Sequence, residues 1–98
     1  MGKSYYSDFV NHCLRFYCRY PDITDCDQAD RANWSAAMKA VTALPTAQQP
    51  IITEVYSSKL TMNEAVCRAA RVHGATLDEV WQMVKAVERK TAELRGLV

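Results

Sequence analysis

Three times in the second half of the chain a threonine is followed three residues later by glutamine or glutamate: Thr46-Ala-Gln-Gln49, Thr61-Met-Asn-Glu64 and Thr76-Leu-Asp-Glu79. In such a box the threonine hydroxyl accepts from the third backbone N–H of a helix. The Gln or Glu side chain reaches back to the threonine N–H, so two donors left over at the helix start are satisfied together. Spaced fifteen residues apart, the boxes predict three short helices in succession. Pro50 weakens the first, because it sits where an early intrahelical N–H is needed, so that helix is expected to begin late or with an irregular turn. Ile51, Ile52, Val55 and Tyr56 still give it a buried side.

The first half reads as helices too. Over residues 5–20, Tyr5, Tyr6, Phe9, Val10, Cys13, Leu14, Phe16, Tyr17 and Tyr20 fall on one broad face, with Asp8, Asn11, His12, Arg15 and Arg19 opposite. Six of the nine aromatic residues lie here, which predicts that the other helices pack around this one. Pro21 ends it. An acidic connection over residues 22–30 carries Asp22, Asp25, Asp27 and Asp30, of which Asp25 or Asp27 is placed to cap a second helix. Trp34, Ala37, Met38, Val41 and Leu44 recur at helical spacing until Pro45 stops that helix. The last helix is predicted over residues 77–95, with Val80, Met83, Val84, Val87 and Leu94 as its main stripe, Leu77 and Trp81 widening it, and Gly96 ending it. With no strand pattern, the expected fold is all-α: a compact single-domain bundle of about five helices over residues 1–98.

Composition narrows the classes of function. At 98 residues and 49% apolar the chain suffices for one modest core. Twelve basic and eleven acidic residues leave a net charge of +1, so any nucleic-acid surface must be a local patch. No apolar run is long enough for a bilayer and no signal-peptide pattern opens the sequence, which predicts a cytoplasmic protein. The Met1-Gly2 start resembles a myristoylation signal, but Tyr6 stands where Ser or Thr is needed. Cys13, Cys18, Cys26 and Cys67 form no C-x-x-C pair and read as free thiols. Adjacent His12 and Cys13 would point about 100° apart on a helix, which argues against a zinc site. No nucleophile-base pair, phosphate loop or paired metal motif is visible, and no cofactor or enzymatic activity is expected.

One segment carries a functional reading. Ala69-Ala-Arg-Val-His-Gly74-Ala-Thr76, followed by Val80 and Met83, has the spacing of a helix-turn-helix, here a unit over about residues 61–95. Ala70 is small enough for two helices to cross closely, and Gly74 can take the left-handed turn. Ala75, Val80 and Met83 are expected inside, as is His73, at a place usually held by an aliphatic residue. Thr76, Leu77, Asp78, Trp81, Gln82 and Lys85 then face outward. Gln82 suits adenine, and Lys85 suits guanine or phosphate. Arg68, Arg71, Arg89 and Lys90 would reach the phosphate backbone. Against DNA stand Asp78 and Glu79, which bring negative charge toward phosphate. Close Ala/Gly helix pairs also occur in bundles that never meet DNA. In that alternative Leu77 and Trp81 form an apolar patch for a protein partner, with Asp22, Asp25, Asp27 and Asp30 as an acidic contact surface.

Leu44-Pro45, Ile51, Tyr56, Leu60-Thr61, Glu64-Ala65 and Leu94-Arg95 resemble the promoter-reading domain of sigma factors, over the last half of the chain and with an insertion before Gly74. The segments Tyr5-Tyr-Ser-Asp-Phe-Val10, His12-Cys-Leu-Arg-Phe-Tyr17, Asn33-Trp34, Trp81, Glu88-Arg-Lys90 and Arg95-Gly-Leu97 resemble, along nearly the whole chain, a group of short proteins carried by prophages and integrative elements of Gram-positive bacteria. The resemblances imply a small mobile-element protein that binds rather than catalyses. DNA is the first expected partner. The alternative is a host protein, met by an inhibitor or adaptor directed at a defence system such as a CRISPR nuclease.

Overall fold

Each of the three threonine boxes meets a different fate in the computed structural model, which describes residues 6–20 and 27–98. The described residues form α1 (Ser7–Arg19), α2 (Gln28–Thr42), α3 (Gln49–Ser57), α4 (Met62–His73) and α5 (Leu77–Leu94), with no strand among them. At α5 the box is complete: Glu79 N donates to Thr76 Oγ1 at 3.1 Å and Thr76 N donates to Glu79 Oε1 at 3.0 Å. At α4 half of it forms. Thr61 Oγ1 accepts from Glu64 N at 3.3 Å, but Glu64 Oε1 accepts from the same hydroxyl, at 2.8 Å, rather than from the backbone.

The first box does not form. Residues 45–49 make an irregular turn, Gln48 N bonding Pro45 O at 2.8 Å, and α3 begins at Gln49 with Pro50 in its first turn. The Gln49 side chain turns the other way, donating to Leu44 O at 3.0 Å and Thr42 O at 3.4 Å. It therefore satisfies carbonyls at the end of α2. At the other end of α2, Asp27 Oδ1 accepts from Asp30 N at 2.8 Å, the capping role expected of Asp25 or Asp27. Asp25 itself lies outside the described residues.

Glycine closes both of the last two helices. Gly74, at φ 67° and ψ 30°, turns the chain out of α4, and Ala75 N returns to Ala70 O at 2.9 Å. Gly96, at φ 75°, does the same after α5, with Leu97 N on Ala92 O at 2.8 Å.

The core is aliphatic and small. Val10, Cys13, Leu14, Ala37, Val41, Ile52, Val55, Val66, Ala69, Val80, Val84 and Val87 are essentially shut off from solvent, and Tyr56 is the largest side chain fully enclosed. The aromatic helix packs on three of the four others, as expected, and misses only α4. α3 and α5 each pack on all four other helices. On α1 the buried face centres on Val10 and Leu14 with Ser7 and Cys13, while Phe9 and Tyr20 remain 40% and 56% exposed. Phe9, half-buried Phe16 and Tyr20 lie at i, i+7 and i+11, on a flank away from the buried face. Ser7 fits in because its Oγ donates to Glu88 Oε2 of α5 at 2.8 Å. No helix among the described residues is long and apolar enough to cross a membrane.

Candidate nucleic-acid interface

α4 and α5 are joined by Gly74 and Ala75 ahead of the Thr76 cap and pack on each other, α4 burying Ala65, Val66, Ala69 and Ala70 and α5 burying Val80, Met83, Val84 and Val87 in the common core. Ala75 is half-buried against the core and Val80 and Met83 are buried, as their spacing predicts. His73 is not inside. It is exposed, with Nε2 3.3 Å from Glu54 Oε1, so the imidazole ties the end of α4 to α3. A polar ring that finds its partner at the surface has no reason to be desolvated.

Burying those faces turns others outward. Arg68 and Arg71 lie on the exposed side of α4, Thr76 caps α5, and Gln82, Lys85, Arg89 and Lys90 are exposed along α5. Among the described residues no hydrogen bond or ion pair engages the side chains of Arg68, Arg71, Lys85, Arg89 or Lys90. The acids of the same half are differently placed. Glu54 meets His73, Glu64 and Glu79 lie against their helix caps, and Glu88 accepts from Ser7. The carboxylates of Glu64 and Glu79 also sit at helix N-termini, where the peptide dipoles offset negative charge. The hydrogen bond from the Thr76 backbone, and then that from its hydroxyl, holds the Glu79 carboxyl below its ordinary range. Asp78 and Glu93 are left as acids without such a role.

The residues expected at a protein interface divide. Leu77 is 49% exposed, but Trp81 is half-buried and packs on the core, so it is not the free aromatic anchor that the alternative requires. Val72, 58% exposed, flanks the same turn as Leu77 and was missed because its neighbours on α4 suggest a core stripe. Of the acidic connection, Asp27 is exposed while its Oδ1 caps α2, and Asp30 is half-buried. Asp22 and Asp25 lie outside the described residues.

Sequence reasoning also passed over the outward face of α1. Arg15 and Arg19 alternate there with Phe16 and Tyr20, and Arg19 Nη2 donates to Ser58 O at 3.2 Å in the link between α3 and α4. The interleaving of cations and aromatics was the available signal. The thiols offer no comparable chemistry: burial pushes Cys13 up to about 11 and Cys18 up to about 12, which keeps both protonated near neutrality. Cys67 is exposed on α4. Among the described residues no group of His, Cys, Asp or Glu is arranged to hold a metal ion.

In comparisons with known proteins the chain matches no family model, no curated protein and no solved structure.

Proposed function

We propose that the protein is a small, non-enzymatic DNA-binding regulator of a mobile element, acting in the cytoplasm through α4, the Gly74 turn and α5 as a helix-turn-helix. The observation that carries this reading is the division of charge: Arg68, Arg71, Lys85, Arg89 and Lys90 are exposed and unpaired, while Glu54, Glu64, Glu79 and Glu88 each have a hydrogen-bond partner within the protein, leaving, among the described residues, Asp78 and Glu93 as the exposed acids without one. A chain with a net charge of only +1 thereby presents a local cationic surface, as phosphate binding requires. Gln82 and Lys85 are exposed in the first half of α5, where base edges would be read, and Thr76 at its cap would lie near phosphate. The resemblance of the last half of the chain to promoter-reading sigma domains, and of the whole to small prophage proteins, points the same way.

A second reading, docking on a host protein, is favoured by Val72 and Leu77, two exposed aliphatic side chains flanking the turn. A mobility-shift assay with duplex DNA separates the two. On the DNA reading Lys85→Glu and Arg89→Glu weaken the shift and Asp78→Asn strengthens it. Absence of any shift at low salt overturns the reading.

A further inference from the structure

The outward face of α1 is used neither by the core nor by the α4–α5 reading. Arg15, Phe16, Arg19 and Tyr20 line, with Asn11 and with Met62 from the first turn of α4, an open depression of about 550 Å³. Its chemistry is of two kinds. Two guanidinium groups supply positive charge, and Arg19 is steadied by its bond to Ser58 O while its remaining N–H groups stay available. Asp8, which has an interaction partner of its own, and His12 complete the lining. Beside the guanidiniums, the rings of Phe16 and Tyr20 stand 5.4 Å apart at 49°, with Tyr20 56% exposed. Two polar atoms of the lining, Asn11 Oδ1 and Arg15 Nε, are closed off and meet no partner within the protein. An acidic peptide would use the guanidiniums and leave the aromatic faces uncovered. A nucleotide uses both, phosphate on Arg and base on ring, which is how single strands are held without sequence preference.

We infer that this face holds an unpaired nucleotide of a DNA strand, its base laid on Tyr20 and its phosphate on Arg15 and Arg19. The inference rests on the DNA reading above and extends it: Met62 borders the depression with the first turn of α4, one of the two helices proposed to meet the duplex. The ring of Tyr20 is not needed for folding here, since it is the Tyr20 carbonyl that accepts from Trp34 Nε1 at 2.7 Å, and that bond survives loss of the ring.

The test is fluorescence anisotropy at low salt with a labelled duplex, the same duplex carrying a thymine bubble, a thymidine oligonucleotide and an oligo-glutamate peptide. The bubble is expected to bind about tenfold more tightly than the duplex. Tyr20→Ala and Arg19→Gln should each erase that preference and leave duplex affinity unchanged, with the helical far-ultraviolet spectrum intact. Equal binding of bubble and duplex, or a preference that both variants retain, overturns the inference and leaves the α4–α5 reading standing. Binding of the thymidine oligonucleotide without the duplex, lost in both variants, supports the α1 site and overturns the α4–α5 reading. Binding of oligo-glutamate without either DNA overturns both.

Discussion

Thr76 and Glu79 exchange two hydrogen bonds across the first turn of α5, each side chain satisfying the other's backbone N–H. The bonds fix where α5 begins, and therefore which of its residues face outward. Replacing Thr76 by alanine should cost about 1 kcal/mol in a denaturant melt. Because the Glu79 carboxyl is held below its ordinary range, its contribution is present above the unfolded carboxylate value and is lost as pH falls through the folded one. The gap between wild type and Glu79→Gln should accordingly be full at neutral pH and shrink in acid. A gap that does not depend on pH would show that the carboxylate takes no part.

Gly74 tests the turn separately from its surroundings. A Cβ at this position would meet nothing within 4 Å, so the whole cost of a side chain is the left-handed backbone at φ 67°. Gly74→Ala should destabilise by roughly 1 kcal/mol, Gly74→Val by more, and Gly74→Asn by the least, because asparagine tolerates this region best. Equal stability of the alanine and asparagine variants would contradict the backbone explanation.

Tyr56 gives a prediction of the opposite sign. Its ring is fully enclosed in the core and its hydroxyl meets no hydrogen-bond partner. Burial, and next the nearby Glu88 carboxylate, push the phenol well above its ordinary range, so the group is neutral. Removing an unsatisfied buried hydroxyl relieves a desolvation cost, so Tyr56→Phe should be neutral or more stable by about 1 kcal/mol. A loss of stability would reveal a partner for the hydroxyl.

These residues show unevenly how much could be read before folding. The five helices follow from threonine caps, proline stops and apolar stripes, since each acts within a few residues of itself. The buried face of α5 followed from its spacing at Val80, Met83, Val84 and Val87 for the same reason, whereas Leu94, expected in that stripe, is 40% exposed. What escaped depends on contacts between distant segments. The choice of Gln49 to cap α2 rather than α3, the pairing of His73 with Glu54, and the placement of Ser7 under Glu88 each join different helices. Over residues 5–20 nine apolar and aromatic side chains make too broad a stripe to say which edge the core will leave bare, and among the described residues Phe9 and Tyr20 prove to be exposed.

Trp81 separates the two binding readings through stability alone. Half-buried and packed against the core, it should cost about 2 kcal/mol when replaced by alanine, less than a fully enclosed tryptophan. An unchanged melting temperature would mark it as a free surface anchor and restore the case for a protein partner.

The central claim, that α4 and α5 present unpaired cations to a DNA backbone, is tested most directly by the salt dependence of duplex affinity. Counterion release makes log Kd rise linearly with log salt, and each phosphate contact removed lowers the slope by about 1. Arg68→Gln, Arg71→Gln, Lys85→Gln and Arg89→Gln are exposed substitutions that should leave the fold intact. The account predicts a steep salt dependence for the wild-type protein that flattens stepwise as these changes are combined. Duplex binding that is absent at low salt, or whose slope is the same in the combined variant, would contradict it.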